Sequence, residues 1–275
     1  MSGAGSEGRA PRDPRPLSGW TVAVMRAREQ AGELVRLLEA RGASVRELPM
    51  IRIAPPADPG PLRHAVRSVG SFDWVVFLSV NGVEGFWREL GAAGLDAGAL
   101  AASRVACVGP GTAAALVRRG VEPAVVPEEY VAEALLGALA RAEALAGKRI
   151  LLPRGAGGRP VLPDGLRALG AEVTEVEAYR TVPEAEHAAE LRELLGAGVV
   201  DALVFTSPST VESFVASVGV DPGRALVAAI GPVTARAAAA RGLTVHVCAK
   251  EHTMAGLVEA LASRAAEERR RGRRV

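Results

Sequence analysis

Hydroxyl side chains recur in this sequence where apolar runs give way to helical patterns. Ser79 and Asn81, with Gly82, follow Asp73-Trp-Val-Val-Phe-Leu78. Ser207, Ser209 and Thr210 follow Asp201-Ala-Leu-Val-Phe-Thr206. Thr112 and Thr234 close the turns Gly109-Pro-Gly-Thr112 and Gly231-Pro-Val-Thr234. A strand that passes straight into a helix leaves the first-turn N–H groups unpaired and aimed at one spot. A hydroxyl there either caps the helix or joins those N–H groups in holding an anion. Four such starts, with Arg26 and Arg154 each closing a strand, suit a ligand that carries many carboxylates. Tyr179 is one of only two tyrosines. It has two readings: a ring packed on an extended segment, or a phenol facing a cleft and able to donate a proton. Tyr130, just before a helix, has less to recommend it.

These residues are positioned by a duplication. Asp201 lies 128 residues after Asp73, and at that offset Phe77/Phe205, Ser79/Ser207, Val83/Val211, Glu84/Glu212 and Phe86/Phe214 match, as do Arg26/Arg154. The Gly-Pro-x-Thr turns and Gly120/Gly242 match at an offset of 122. Self-similarity of this extent means that one unit is built twice. Each half alternates short apolar strands with helical patterns. The strands include 20–25, 44–48, 74–78, 104–108 and 124–126, and the last helix of the first half spans 131–146. The expected fold is therefore α/β, with two similar parallel sheets covered by helices in three layers, and ligands beyond the carboxyl ends of the strands. The proline-bounded pieces 50–56 and 176–183 read as linkers. Ser207, Ser209 and Thr210 are each candidate caps of a helix beginning near Val211.

Composition bounds the rest. The chain has 275 residues, 49% of them apolar, and a formal net charge of +2. That length suits two domains of ordinary size. No apolar run is long enough to span a membrane and no signal-peptide core is visible. Cys107 and Cys248 both lie in apolar strand-like runs and read as buried, reduced thiols, which points to the cytoplasm. Residues 1–17 read as a disordered leader and 265–275 as a solvated basic tail, so no nucleic-acid partner is expected. His64, His187, His246 and His252 are scattered, without ligand spacing, so no metal is expected. Gly109-Pro-Gly-Thr-Ala-Ala114 fits a dinucleotide fingerprint, with Glu128 beyond it. Its repeat, however, has Val233 where the second glycine belongs. What both copies keep is a tight turn and a helix start, so no nucleotide cofactor is expected.

Together, Phe77-Leu-Ser-Val-Asn-Gly-Val83, Val108-Gly-Pro-Gly-Thr112, Tyr179-Arg-Thr181, Phe205-Thr-Ser-Pro-Ser209 and Ile230-Gly-Pro-Val-Thr234 make the chain resemble the uroporphyrinogen-III synthase family over about residues 20–262. It departs at Ala27 and Val80, where the family often has proline. The resemblance implies two flavodoxin- or Rossmann-like domains crossed by two extended linkers. Residues 18–49 with 184–264 would form one domain and 57–175 the other, joined by 50–56 and 176–183. It implies an enzyme that cyclises hydroxymethylbilane to uroporphyrinogen III without cofactor, losing water and inverting ring D; a monomer is the expected state. The alternative is a non-catalytic tetrapyrrole-binding regulator. It also implies that substrate lies between the domains. The motifs carry substrate contacts onto Ser79, Asn81, Thr112, Ser207, Ser209 and Thr234, and general acid catalysis onto Tyr179. To these are added Arg26, Gly82, Gly109, Arg154, Thr210 and Gly231 at the same helix starts and strand ends.

Overall fold

Runs that are apolar without alternation become strands buried on both faces, as such runs do when helices cover both sides of a sheet. The computed structural model describes residues 15–271. In chain order its elements are β1 (Thr21–Val24), α1 (Arg28–Ala40), β2 (Ser44–Glu47), β3 (Ile51–Ala54), α2 (Gly60–Arg67), β4 (Trp74–Phe77) and α3 (Val80–Ala92). They continue with β5 (Arg104–Cys107), α4 (Pro110–Val117), α5 (Ala132–Ala142), β6 (Arg149–Gly155), α6 (Val161–Ala168) and β7 (Glu172–Pro183). The last are α7 (Ala188–Gly196), β8 (Ala202–Phe205), α8 (Pro208–Ser217), β9 (Leu226–Ala229), α9 (Pro232–Ala240), β10 (Val247–Cys248) and α10 (Met254–Arg270). They fall into two units, one ending at Arg52 and resuming at Val182, the other Ile53–Thr181.

The first unit holds a five-stranded sheet in the order β10-β9-β8-β1-β2, parallel throughout. Alternate residues of its strands face opposite cores. Val22, Val24 and Val204 pack with Leu34, Leu38, Leu257 and Leu261 of α1 and α10. Ala23, Leu203 and Phe205 pack with Leu191 of α7 and with Val211 and Phe214 of α8. The second unit holds a sheet in the order β3-β7-β6-β4-β5, with β5, β4, β6 and β7 parallel. Val75, Phe77 and Leu151 face α2, α3 and α4, and Trp74, Val76 and Leu152 face α5 and α6. The duplication is visible in detail. Phe77–Phe86 and Phe205–Phe214 are both edge-on ring pairs, at 5.5 and 5.4 Å between centroids. Gly42 and Gly170 end α1 and α6 at equivalent places with φ of +89° and +83°, a conformation that favours glycine.

Several expectations change. The pieces read as linkers are strands over much of their length: β3 and the end of β7 are neighbours in the second sheet. Their prolines stand at or beyond strand ends, where no ladder N–H is needed. Val176 and Ala178 bury one side of β7. Of the leader, residues 1–14 lie outside the described residues, while Leu17 is fully buried and its N–H donates to Arg41 O at 2.9 Å. The basic tail is helical to Arg270, with Ala265 fully buried; residues 272–275 lie outside the described residues. The expected strand 124–126 is a single bridge from Val125 to Ala106. The helix expected over 131–146 ends at Ala142. Cys107 is buried as expected, and burial pushes its thiol pKa up. Cys248 is exposed, because β10 is an edge strand of only two residues. Before it, the His246 side chain takes the N–H of Val227 on its Nδ1 at 3.0 Å. No helix among the described residues is long and apolar enough to cross a membrane.

Candidate functional site

All four helix starts stand at the carboxyl ends of parallel strands, two side by side in each unit. In the second unit, β4 leads to α3 and the adjacent β5 to α4. In the first, β8 leads to α8 and the adjacent β9 to α9. Proline at the first or second helical position of α4, α8 and α9 removes an N–H that would find no partner there and pre-sets the helical φ.

In the second unit Ser79 is the N-cap of α3. Its Oγ accepts from Gly82 N at 3.1 Å and donates to the Tyr179 hydroxyl at 3.1 Å. That arrangement leaves the phenolic hydrogen free to be given elsewhere. Three features bring the two hydroxyls together. Gly82 lets α3 lie against Pro153 O of β6, where a Cβ would come within 2.9 Å. Gly85 lets it lie against β7, where a Cβ would overlap the Ala178 carbonyl. The β6–β7 register shifts by one residue between Arg154 and Gly155, so that Gly155 pairs with Tyr179. The Tyr179 ring then covers Gly155, where a Cβ would lie 2.8 Å from Cζ and 2.9 Å from the hydroxyl. The phenol is thus held by a bulge, a bare backbone and a capping serine. Neither Gly85 nor Gly155 was singled out from the sequence. The Gly82-x-x-Gly85 spacing, which puts two bare positions on one helix face, was the available signal.

The first unit builds the same start differently. Ser207 is the N-cap of α8 and accepts from Thr210 N at 3.3 Å. Its Oγ also lies 3.0 Å from Ser209 Oγ and 2.9 Å from Thr210 Oγ1. The helix begins at Pro208, so Ser207 alone is the cap, and Ser209 and Thr210 sit in the first turn rather than each capping a later helix. Thr210, Thr112 and Thr234 are buried, so their starts offer a ligand mainly backbone N–H groups. Gly109 and Gly231 are the N-caps of α4 and α9.

The two arginines diverge. Arg154 is buried and committed: Nη1 donates to Glu175 Oε2 at 2.6 Å, Nη2 donates to Arg159 O at 2.8 Å, and Gly158 closes over the guanidinium. Its guanidinium is engaged inside its own unit, where it shares Glu175 with Arg167, whose Nη2 donates to Glu175 Oε1 at 2.8 Å. Arg26 has uncharged partners, Gln30 Oε1 at 3.3 Å and Met254 Sδ at 3.3 Å. Burial lowers its pKa, with Glu33 pulling the other way. A partly desolvated guanidinium of this kind gains from an arriving anion. Asn81 lies in the first turn of α3. Among the described residues no group of His, Cys, Asp or Glu could hold a metal ion.

Comparison with known proteins agrees with this architecture. The family model for uroporphyrinogen-III synthase HemD matches residues 32–259. A uroporphyrinogen-III synthase of Synechococcus elongatus is 32% identical over 256 residues, 90% of this chain and 96% of its own. One from Chlorobaculum parvum is 30% identical over 231 residues, 82% and 92% of the two chains. In fold, the chain is similar to a crystal structure of a mutant uroporphyrinogen III synthase from Thermus thermophilus. The TM-score is 0.62 at 23% identity, covering 90% of this chain and 99% of that one. By the extent of the family match and the identity to its curated members, the chain belongs to the uroporphyrinogen-III synthase family.

Proposed function

We propose that this protein cyclises hydroxymethylbilane to uroporphyrinogen III, with Tyr179 as general acid. Family membership supports the reaction. The observation that carries the assignment of roles is the contact of the Tyr179 phenol with Ser79 Oγ at the start of α3. Hydroxide is a poor leaving group. Tyr179 protonates it as the carbon–oxygen bond breaks, and water departs. The phenolate left behind accepts the hydrogen bond of Ser79, an interaction stronger with an anion than with the neutral phenol. The electron-poor carbon is attacked by ring D at its substituted position, which gives a spiro intermediate. The neighbouring bond of ring D then breaks and re-forms at the other position. The proton lost as ring D regains its aromaticity returns the phenolate to phenol, so the only net loss is water.

The helix starts at Ser79, Gly109, Ser207 and Gly231 take substrate carboxylates on their backbone N–H groups, with Arg26 adding charge. Because the linear substrate also closes unaided to the uninverted isomer, much of the protein's work is to hold the conformation that inverts. The test is to incubate the purified protein with hydroxymethylbilane and separate isomers III and I. Isomer III formed faster than isomer I arises in buffer is the expected outcome. Isomer I alone, at the spontaneous rate, contradicts the proposal.

A further inference from the structure

In each unit an exposed flat side chain covers the glycine that begins a helix. Tyr130 lies over Gly109, where a Cβ would come within 3.1 Å of its ring, and His252 lies over Gly231, where a Cβ would come within 2.9 Å. Gly109 and Gly231 have φ of −178° and +178°, an extended backbone open to any residue. The backbone therefore does not favour glycine at either place; what glycine leaves is room for the ring to lie this close. Tyr130 is 59% exposed and His252 is exposed as well, so burial of the rings in a core does not explain the arrangement either.

The two sites are the same site duplicated. Tyr130 and His252 are 122 residues apart, the offset that relates Gly109 to Gly231. Each immediately precedes the N-cap of the next helix after the one its glycine begins, Val131 before α5 and Thr253 before α10. Between the copies the polar group changes from phenol to imidazole. The flat ring, its exposure and the bare backbone beneath it remain. A surface that keeps a plane but not a particular donor is suited to stacking.

We propose that Tyr130 and His252 are substrate-positioning residues, each stacking on a pyrrole ring whose carboxylate is held at the helix start beside it. This deepens the proposed function and rests on it. The helix start fixes one end of a pyrrole through its carboxylate, and the ring fixes its plane. Inversion of ring D requires such control of orientation, because the uninverted closure needs none.

The test is steady-state kinetics of isomer III formation, with melting temperature as the folding control. Tyr130→Ala and His252→Ala should each raise KM about two- to tenfold, the span expected for loss of one stacking contact, with kcat and melting temperature unchanged. Tyr130→Phe and His252→Phe keep the plane and should keep KM. Gly109→Ala and Gly231→Ala keep the ring but push it aside, and should raise KM as ring removal does. Unchanged KM in the alanine variants of Tyr130 and His252 overturns the proposal. So do phenylalanine variants as impaired as the alanine ones, because a polar group rather than a plane would then be recognised. If wild-type protein forms no isomer III, the proposed function itself fails, and this inference with it.

Discussion

The two units carry the same serine at the same helix start and use it differently. Ser79 caps α3 and meets the phenol of Tyr179, whereas Ser207 caps α8 and meets Ser209 and Thr210. At the offset of 128, Tyr179 corresponds to Ile51, Gly85 to Ser213 and Ala178 to Met50. In the second unit the bare Gly85 lies against the Ala178 carbonyl. In the first, the equivalent carbonyl, Met50 O, accepts a hydrogen bond from Ser213 Oγ. Both solutions satisfy the helix–strand contact, but only one stands beside a side chain that can give up a proton. The duplicated frame supplies the same helix starts twice, and in the proposed mechanism the proton comes from one unit alone, from the tyrosine on β7 that the glycines Gly85 and Gly155 admit beside Ser79.

The sharpest way to break this contrast is to remove the phenol. Tyr179→Phe should lower kcat by about 10²–10⁴-fold, the usual range for general acid catalysis, with KM and melting temperature little changed. Ser207→Ala in the other unit should leave kcat near wild type. A Tyr179→Phe enzyme as fast as wild type would remove the distinction between the units. Next in size is the packing that admits the tyrosine. Gly85→Ala drives a methyl into the Ala178 carbonyl, and should cost about 1–3 kcal/mol by overpacking and slow turnover as well. Ser213→Ala leaves Met50 O short of one hydrogen bond and should cost about 1 kcal/mol without touching kcat. Denaturant unfolding and turnover of the two variants separate these outcomes.

The caps come third. Ser79→Ala and Ser207→Ala should each cost about 1 kcal/mol of stability, yet only Ser79→Ala should also slow turnover. Equal kinetic effects would mean that Ser79 acts as a cap and nothing more.

The smallest effect lies at the opposite ends of the strands, where equivalent carboxylates do one job in two environments. Asp73 Oδ2 accepts from Arg149 N at 2.8 Å, and Asp201 Oδ2 accepts from Thr21 N at 2.7 Å. The hydrogen bond from Arg149, helped by Lys148, holds the carboxyl pKa of Asp73 below its ordinary value, while burial pushes that of Asp201 above it. The linkage signs are opposite. The contribution of Asp73 is present above the ordinary carboxylate pKa and is lost as pH falls through the lowered value. The contribution of Asp201 is present below the ordinary pKa and is lost as pH rises through the raised value. Between about pH 3 and pH 6, the melting-temperature cost of Asp73→Asn should therefore grow with pH and that of Asp201→Asn should shrink. Parallel trends would contradict the assignment of two environments.

What the sequence revealed and what it hid follow from range. The apolar runs of β4 and β8, the caps Ser79 and Ser207, and the Gly-Pro-x-Thr turns are local signals, and the duplication made each legible twice. The strand character of 176–183 was hidden because only Val176 and Ala178 are buried there, on one face, and because β3 lies far away in sequence. The meeting of Ser79 with Tyr179 spans a hundred residues and depends on a register shift at Gly155, which no local pattern announces. Arg154 matched Arg26 in position, but its fate was decided by Glu175 on the neighbouring strand. Cys248 sits in an apolar run, yet it is exposed because its strand, β10, is only two residues long and lies at the sheet edge.

The central claim is that Tyr179 gives its proton to the departing oxygen. It is tested most directly by changing the leaving group. A bilane carrying an aminomethyl group in place of hydroxymethyl, present as the ammonium ion, brings its own proton and leaves as neutral ammonia. Single-turnover rates of isomer III formation are compared for wild type and Tyr179→Phe on both substrates. If Tyr179 is the acid, the loss of about 10²–10⁴-fold on the hydroxymethyl substrate should collapse toward no loss on the aminomethyl one. An equal loss on both substrates would show that Tyr179 positions the bilane and that the proton comes from elsewhere.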